Sequence, residues 1–219
     1  MLIPFNRAIS HLNPFDGVVH LFISLYRNLF LKEGRSESIQ TTIRTTSINR
    51  KVEEQTLTFR MPTKNDGAAV WELIHQIDNL DLNSSYSYLL WCDMFSETSI
   101  VVEEEGEVVG FISGFIHPNK PNTLFIWQVA VDGAQRGRGI GTRMLLQLLN
   151  RKRIAQVQFI EATVAPSNLP SQYLFLGLAK KLDTECVVGN YYTSVDFPRT
   201  GHEDEQLYKI GPIRRTNNK

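Results

Sequence analysis

The chain has 219 residues, of which 42% are hydrophobic and 21% are charged, and this is enough to bury the core of one ordinary globular domain. The 23 basic and 23 acidic side chains cancel, so no general positive charge exists that would hold nucleic acid or an anionic membrane surface. Cys92 and Cys186 are the only cysteines, which excludes a disulfide scaffold and a cysteine-based zinc site. We therefore expect a cytoplasmic protein with two reduced thiols.

The first 55 residues differ in character from the rest. Their longest apolar stretch, residues 18–31, contains four polar residues and is too short and too polar to span a bilayer. No small-residue cleavage pattern follows it, so export is not expected. Residues 1–55 are predicted to be a poorly ordered extension and linker. The alternative is a helix that tethers the chain to a partner or a membrane surface through a broad apolar face, opposite a polar stripe at His20, Ser24, Asn28 and Lys32.

From residue 56 the pattern changes to short regular elements. Residues 56–60 favour a strand, and Thr63 and Asp66 resemble a capping box at the start of a helix. The apolar positions of this helix have the three-and-four spacing of a buried stripe and are Ala69, Val70, Leu73, Ile74 and Ile77. Residues 88–92 indicate a second short helix, and the β-branched runs 99–103 and 108–116 indicate a hairpin around the acidic turn at residues 104–107.

The second half alternates strands and helices. Residues 124–131 have the strongest strand pattern in the chain, and they lead through a glycine-rich loop into a long amphipathic helix. The remaining elements complete an α+β pattern without internal repeats and are a strand at 158–164, a helix at 168–182, and strands at 186–188 and 206–210. We expect one domain over residues 56–213 and a polar tail over 214–219.

The glycine-rich loop, QRGRGIG at residues 135–141, is the most informative site. Gly137, Gly139 and Gly141 expose main-chain amides at a helix N-terminus, where the helix dipole attracts phosphate. Arg136 and Arg138 add charge-assisted donors that suit a pyrophosphate. A tight turn alone explains one glycine but not three between two arginines, so the loop is predicted to bind an anion.

Two common phosphate-binding motifs fit this loop poorly. A Walker loop ends in Gly-Lys-Ser/Thr, and no lysine precedes Thr142. A dinucleotide fingerprint needs the spacing Gly-x-Gly-x-x-Gly early in a parallel sheet, whereas this loop reads Gly-x-Gly-x-Gly and its strand follows a hairpin. Nucleotide triphosphate hydrolysis and dinucleotide binding are both disfavoured.

The spacing Arg136-x-x-Gly139-x-Gly141, in this order of elements, resembles the acetyl-CoA loop of the GCN5-related N-acetyltransferases (GNAT). The resemblance implies their α+β fold, a mixed and mostly antiparallel twisted sheet flanked by helices, with acetyl-CoA as co-substrate. It implies that main-chain groups at Val129 and Val131 pair with pantetheine and that Asn168 contacts the CoA arm. It also implies a pyrophosphate site formed by Arg136, Gly137, Arg138, Gly139, Gly141 and Thr142.

Four segments also resemble the L-2,4-diaminobutyrate acetyltransferases of ectoine biosynthesis, namely residues 81–90, 125–131, 161–168 and 201–210. Together they cover most of the chain from residue 56 onward, while the first 55 residues have no counterpart in that family. This resemblance implies transfer of an acetyl group from acetyl-CoA to the side-chain (γ) amine of the diamino acid. It also implies a homodimer. The short and polar character of residues 18–31 separately predicts no stable membrane insertion.

A substrate with two ammonium groups needs carboxylates to pair with them. The acidic side chains expected near the open end of the central strands are Asp81, Glu161 and the cluster Glu203, Asp204 and Glu205. Each of these is equally compatible with a solvated surface charge. Asn83 and Ser84 form a polar loop that holds the substrate or simply caps the next helix. Trp127 is expected either to wall the amine pocket or to lie in the core.

The chemistry expected of this family is direct attack of the neutral amine on the thioester, without an acyl-enzyme. A carboxylate, Glu161 or Glu205, is predicted to accept the amine proton, and a main-chain amide near Val129 to stabilise the oxyanion. Many GNAT enzymes protonate the leaving thiolate with a tyrosine where this chain has Phe175. Tyr173, Tyr191, Tyr192 or water remain open as substitutes. His202 lies beside three acidic residues, and no His/Cys spacing supports a metal site.

Two alternatives stay open on the sequence alone. The acceptor is a polyamine, an aminoglycoside or a protein N-terminus instead of a diamino acid. Alternatively, the domain binds acyl-CoA without catalysis, and Phe175 reflects lost turnover.

Overall fold

The computed structural model describes residues 56–77, 80–198 and 201–214. The helices are α1 (Gly67–His75), α2 (Ser85–Asp93), α3 (Ile140–Leu149) and α4 (Leu169–Lys181). The strands are β1 (Thr58–Arg60), β2 (Ile100–Glu104), β3 (Glu107–Ile116), β4 (Thr123–Val131), β5 (Phe159–Val164), β6 (Cys186–Tyr192) and β7 (Glu205–Ile210). The predicted extension over 1–55 lies outside the described residues, and so does the predicted tail apart from Arg214.

All seven strands form one sheet in the order β1-β2-β3-β4-β5-β7-β6. β4 and β5 run parallel, and the other neighbouring pairs of the described sheet are antiparallel. The parallel pair is possible because α3 crosses from the end of β4 to the start of β5. The predicted mixed, mostly antiparallel sheet flanked by helices is confirmed.

Local sequence explains most element boundaries. The β2–β3 turn places Glu105 at φ 53° and Gly106 at φ 88°, as a two-residue hairpin loop requires. Thr63 and Asp66 form the predicted capping box, although they cap a single 3-10 turn that leads into α1. Ala69 was wrongly assigned to the buried stripe, because it is exposed on α1.

Each face of the central strands packs against a pair of helices. One face packs against α3 and α4 through a core that includes Ile112, Leu124, Ile126, Met144, Leu148 and Leu178. The other face packs against α1 and α2 through Val70, Ile74, Tyr88, Trp91, Val101 and Phe111. Burial on both faces accounts for the continuous apolar runs of β2, β3 and β4.

β4 carries the irregularities that create a site. Ser113 pairs with Gln128 and Gly114 pairs with Ile126, so Trp127 is the extra residue of a β-bulge. Pairing with β5 ends at Ile126 and Ala162, although both strands continue. A gap therefore opens between β4 and β5 beyond the bulge.

Both cysteines lie in the described part of the chain as free thiols. Cys92 lies on the buried face of α2, and this burial raises the pKa of its thiol to about 12. Cys186 is partly buried at the start of β6, and burial also raises the pKa of its thiol. Neither thiol is activated as a nucleophile. Among the described residues, none of the helices has the length and apolar character needed to cross a membrane.

Candidate active site

The gap between β4 and β5 exposes main-chain groups of β4. The Gln128 N–H donates to Ser113 Oγ at 3.2 Å, and the Asp132 N–H donates to the Val109 carbonyl at 2.9 Å, so both point toward β3. Main-chain groups alternate sides along a strand, so those of Val129 and Val131 face the gap. This is the orientation that pairing with an extended pantetheine arm would need.

The glycine-rich loop borders this gap at the start of α3. A cleft of about 660 Å³ lies here, lined by Val129, Val131, Arg136, Gly137, Gly139, Gly141, Thr142 and Asn168 among others. Its polar wall is the N-terminus of α3, where main-chain N–H groups and the helix dipole favour an anion. The structure therefore brings together eight of the nine residues predicted to bind CoA, and their role in binding stays a prediction.

Each glycine of the loop has its own conformational reason. Gly137 and Gly139 adopt φ values of 80° and 68°, and Gly139 is the residue before the first turn of α3. A Cβ on Gly141 would lie 3.3 Å from Leu174 Cδ1, so this glycine lets α3 approach α4 closely. The sequence interpretation that a turn explains only one of these glycines was wrong, although all three also leave the cleft free of side chains.

The two arginines of the loop have different environments. Arg136 is exposed and lines the cleft. Arg138 instead turns back to the sheet, where its Nη1 lies 2.8 Å from Oε1 of the buried Glu104. Gln135 completes this cluster through hydrogen bonds to both Glu104 and Arg138. Arg138 is thus placed to hold the loop from behind, and Arg136 is the arginine placed to meet a phosphate.

A second cleft, of about 630 Å³, opens at the bulge end of β4 and shares Leu80, Val129, Asn168 and Ser171 with the first. Its lining includes the carboxylates of Asp81, Glu203 and Glu205, together with His202 and Trp127. These side chains come from the loop before α2, the loop before β7, the start of β7 and the bulge in β4. We refer to this cleft as the acidic cleft.

Glu205 has the most perturbed environment in the acidic cleft. Burial raises the pKa of its carboxyl, and the nearby charges of Asp81 and Glu203 add to this effect. A hydrogen bond from Thr163 and the proximity of His202 oppose the rise. A raised pKa makes this carboxylate a stronger base than an exposed glutamate.

The other acidic side chains of the cleft are anchored to neighbouring loops. Glu203 Oε2 accepts a hydrogen bond of 3.1 Å from the Ser167 N–H, just before α4. Asp81 Oδ2 lies 3.8 Å from His202 Nε2, and the His202 ring stacks on Phe197 at 3.5 Å. His202 therefore links the loop before α2 to the loop before β7.

Glu161 does not join this cluster. Its side chain is 2% exposed on β5, and both of its oxygens accept hydrogen bonds from Lys120 Nζ, at 3.0 and 2.9 Å. It is not among the residues that line the acidic cleft. Of the two carboxylates predicted to accept the proton, the structure brings only Glu205 to the cleft.

Of the remaining residues predicted to bind the substrate, Trp127 lines the acidic cleft, whereas Asn83 and Ser84 do not. Trp127 is 49% exposed, lines the acidic cleft and packs edge-on against Trp91 at 4.8 Å. It is a wall residue and not a core residue. Asn83 and Ser84 lie outside the lining of the cleft: the Asn83 N–H donates to the Tyr88 hydroxyl at 3.1 Å, and the Ser84 and Ser87 hydroxyls are 3.1 Å apart.

The tyrosines proposed as substitutes for the usual acid lie in different places. Tyr173 is exposed on α4 and lines the first cleft, at the glycine-rich loop, which we refer to as the CoA-side cleft. Phe175 is buried against Tyr208 and lines the acidic cleft without a group that can donate a proton. Tyr191 and Tyr192 pack edge-on against each other at the end of β6 and line neither cleft.

Comparison with known proteins agrees with this arrangement. The profile of the Acetyltransferase (GNAT) family matches residues 68–178. The L-2,4-diaminobutyric acid acetyltransferase of Virgibacillus pantothenticus is 96% identical over 159 residues, which are 73% of this chain and 100% of that protein. The corresponding protein of Oceanobacillus iheyensis is 58% identical over 173 residues, which are 77% of this chain and 96% of its own length. The chain belongs to the L-2,4-diaminobutyric acid acetyltransferase family of the GNAT enzymes.

Solved structures are consistent with this assignment. The diaminobutyrate acetyltransferase EctA from Paenibacillus lautus, in complex with its substrate L-2,4-diaminobutyric acid and coenzyme A, matches with a TM-score of 0.71 and 46% identity. The match covers 74% of this chain and 98% of that one. A putative acetyltransferase from Salmonella typhimurium, at 18% identity and a TM-score of 0.57, shares the fold. The resemblance inferred from the sequence motifs is confirmed.

Several residues of this acetyltransferase were not identified from the sequence. Lys120 and Glu104 hold charged partners that were predicted to act in the site, and Thr163 hydrogen-bonds Glu205. The buried Gln128 hydrogen-bonds the main chain of Asp81. Each contact joins positions far apart in the chain, and no local motif signals it. Within the described ranges, no cluster of three His, Cys, Asp or Glu side chains is arranged to hold a metal.

Proposed function

We propose that this acetyltransferase transfers the acetyl group of acetyl-CoA to the γ-amine of L-2,4-diaminobutyrate. The observation that carries the proposal is the junction of two clefts with unlike linings. One presents a helix N-terminus and an exposed arginine to a diphosphate, and the other presents three carboxylates to an ammonium ion. The family resemblance implies that the product enters ectoine biosynthesis.

The charge of the acidic cleft suits the acceptor. Diaminobutyrate carries two amines and one carboxylate, so at least its α-ammonium needs an anionic partner in the site. Asp81 and Glu203 are assigned to that ammonium, and the face of Trp127 offers an additional cation–π contact. Asn83 and Ser84 are proposed to support the Asp81 loop instead of touching the substrate.

Glu205 is the proposed proton acceptor. A free alkyl amine has a pKa of about 10, so it must lose a proton before it attacks the thioester. Glu205 lines the cleft, and its raised pKa favours acceptance of that proton, directly or through water. Glu161 is proposed to have a structural role instead, because its ion pair with Lys120 occupies both of its oxygens.

The acyl transfer itself is proposed to use main-chain groups. The neutral amine attacks the thioester carbonyl, a tetrahedral intermediate forms, and the thiolate leaves as the amide is made. The gap-facing main chain at Val129 supplies the N–H that stabilises the oxyanion. Tyr173 is proposed to protonate the thiolate, and support comes from its position: among Tyr173, Tyr191 and Tyr192, it alone lines the CoA-side cleft.

Anchoring determines which amine reacts. The α-amine is the more easily deprotonated of the two, so intrinsic reactivity favours its acetylation. If Asp81 and Glu203 hold the α-ammonium at the outer end of the acidic cleft, the γ-amine is the one that reaches the thioester. The position of the γ-amine beside the thioester then determines the product, although the α-amine is intrinsically the more reactive of the two.

The purified full chain tests this proposal directly. Release of free thiol from acetyl-CoA is measured with L-2,4-diaminobutyrate and, separately, with ornithine, lysine, spermidine, an aminoglycoside and a peptide N-terminus. We expect the highest kcat/KM with diaminobutyrate, because Asp81 and Glu203 are assigned to its α-ammonium and the chain belongs to the L-2,4-diaminobutyric acid acetyltransferase family. A higher value with any other amine would reassign the acceptor, and coenzyme binding without release of thiol would identify a non-catalytic module.

We also propose that the enzyme is a cytoplasmic homodimer. Support comes from β6, an edge strand that carries exposed apolar side chains at Val187, Val188, Tyr191 and Tyr192, followed by Val195. An exposed apolar edge strand is a ready surface for pairing between copies. Sedimentation equilibrium of the wild type and of a Val188→Lys, Tyr192→Lys variant tests this, and a monomeric wild type would contradict it.

A further inference from the structure

Gln128 is the residue of β4 that follows the bulge, and it links the sheet to the loop that carries Asp81. Its side chain is 6% exposed, and its Nε2 donates a hydrogen bond of 2.7 Å to the Asp81 carbonyl. A carbonyl accepts only from the amide nitrogen, so this contact fixes which way the amide points. The other amide atom, Oε1, is buried without a hydrogen-bond partner among the described residues.

The Asp81 side chain has few other contacts that could fix its position. It is 91% exposed, and its ion-pair partner His202 is 3.8 Å away, at the long end of the range for such a pair. The Asp81 carbonyl also accepts from Asn83 Nδ2, but at 3.4 Å and from within the same loop. The link to Gln128 is the contact that ties the Asp81 main chain to the rigid sheet.

The stability of the fold does not explain why position 128 is occupied by a glutamine. A buried amide that leaves its acceptor unpaired costs free energy relative to an apolar side chain of the same shape. The Asp81 carbonyl lies on an exposed residue, so water can satisfy it if the amide is removed. A methionine in this place would fill the same space without an unpaired acceptor.

We propose that Gln128 is a positioning residue for the acceptor amino acid: it fixes the main chain of Asp81 so that the Asp81 carboxylate meets the α-ammonium of the substrate. This inference rests on the proposed function and adds a residue that borders the acidic cleft but acts on the acceptor through the position of Asp81. It predicts an effect on acceptor binding, with acetyl-CoA binding and stability unaffected.

Gln128→Met separates positioning from structure. We expect the KM for diaminobutyrate to rise about tenfold, as loss of one well-placed hydrogen bond implies. The KM for acetyl-CoA should stay unchanged, kcat should change by less than about threefold, and Tm should fall by no more than about 2 °C. A KM for diaminobutyrate that stays at the wild-type value, or a large fall in Tm with both KM values raised, would overturn the assignment.

A double-mutant cycle tests whether Gln128 acts through Asp81. Asp81→Asn alone should raise the KM for diaminobutyrate, and adding Gln128→Met should raise it by less than about twofold more, because no carboxylate remains to be positioned. Fully multiplicative effects would contradict action through Asp81. Gln158→Met removes an exposed glutamine that accepts a hydrogen bond outside both clefts, and it should behave as wild type.

Two further measurements keep the outcomes distinct. Acetylation of diaminobutyrate by the wild type is measured first: its absence contradicts the proposed function and this inference together, whereas activity with an unchanged KM in Gln128→Met contradicts the inference alone. If Gln128→Met does not bind CoA in calorimetry, Gln128→Glu replaces it. That variant keeps the shape but sets carboxylate oxygens against the Asp81 carbonyl, so an equal or larger rise in KM is expected.

Discussion

Glu205 is the residue on which the proposed proton transfer depends. Its pKa is raised by burial, and a carboxyl accepts a proton only in its ionised form, so kcat should fall as the pH falls through that raised pKa. Glu205→Gln should lower kcat by about 10²-fold and remove this acid limb from the pH profile.

Glu203→Gln provides the matched control for that measurement. It makes the same charge change in the same cleft, but on a side chain assigned to ammonium binding. We expect a higher KM for diaminobutyrate with the acid limb of kcat retained. If Glu205→Gln keeps both the wild-type kcat and the acid limb, another group accepts the proton.

Glu161, in contrast to Glu205, is predicted to affect the stability of the protein and not its catalysis. Glu161→Gln leaves Lys120 without its charged partner beside a buried side chain, and it should lower the free energy of unfolding by about 1 kcal/mol. Because Glu161 lies outside the lining of the acidic cleft, kcat and both KM values should stay near wild type. Chemical denaturation and steady-state kinetics check this together, and loss of kcat with unchanged stability would restore Glu161 as a catalytic residue.

The start of α3 is the element that we predict to bind the coenzyme diphosphate. Gly139 has φ 68°, and the space where its Cβ would lie is open, so Gly139→Ala is strained by its backbone and not by a clash. The variant should raise the Kd for CoA about tenfold, since relaxing the strain turns loop amides away from the diphosphate.

Gly133→Ala is the control for this change. Gly133 also has open space around its Cβ position, without a left-handed φ, and it lies in the turn that precedes the loop. Its Kd for CoA, measured by calorimetry, should match the wild type. Equal effects of the two substitutions would show that the conformation of Gly139 is not what binds the coenzyme.

Elements that rest on local signals could be predicted from the sequence, and contacts between distant elements could not. The β2–β3 hairpin, the capping box at Thr63 and the passage from β4 to α3 all depend on neighbouring residues, and they occur as expected. The pairing partner of β6 is β7, which follows a long loop. Only residues 186–188 of β6 were predicted, because Gly189 and Asn190 end the β-branched run there, although the strand continues to Tyr192.

The candidate site follows the same division. The loop predicted to bind phosphate is contiguous in sequence, so the residue types on which that prediction rests are visible there. The ion pair of Lys120 with Glu161 spans 41 positions, and the hydrogen bond of Gln128 to Asp81 spans 47. Arg138 was predicted to bind phosphate, because nothing in the sequence shows that it pairs with Glu104, which lies 34 positions away on β2. Sequence spacing identifies charged side chains but not which of them pair with each other.

At the scale of the whole molecule, we predict that catalysis requires only the predicted domain over residues 56–213, which contains both clefts. The relative from Virgibacillus pantothenticus aligns over its own full length, and the aligned part is 73% of the present chain. Removal of residues 1–55 should therefore leave kcat, both KM values and the oligomeric state unchanged. A truncated protein that loses activity or changes its location in cells would assign the extension a role as a tether.

The proposed roles of the two clefts predict which nitrogen of the substrate is acetylated, and analysis of the product tests that prediction. In the proposed mechanism, the coenzyme thioester approaches along the gap between β4 and β5, and the carboxylates of the acidic cleft hold the α-ammonium away from it. Purified full-length protein is incubated with acetyl-CoA and L-2,4-diaminobutyrate, and NMR spectroscopy of the product identifies the acetylated nitrogen. The account predicts acetylation at the γ-nitrogen alone, and a product acetylated at the α-nitrogen, or a mixture of the two, would contradict it.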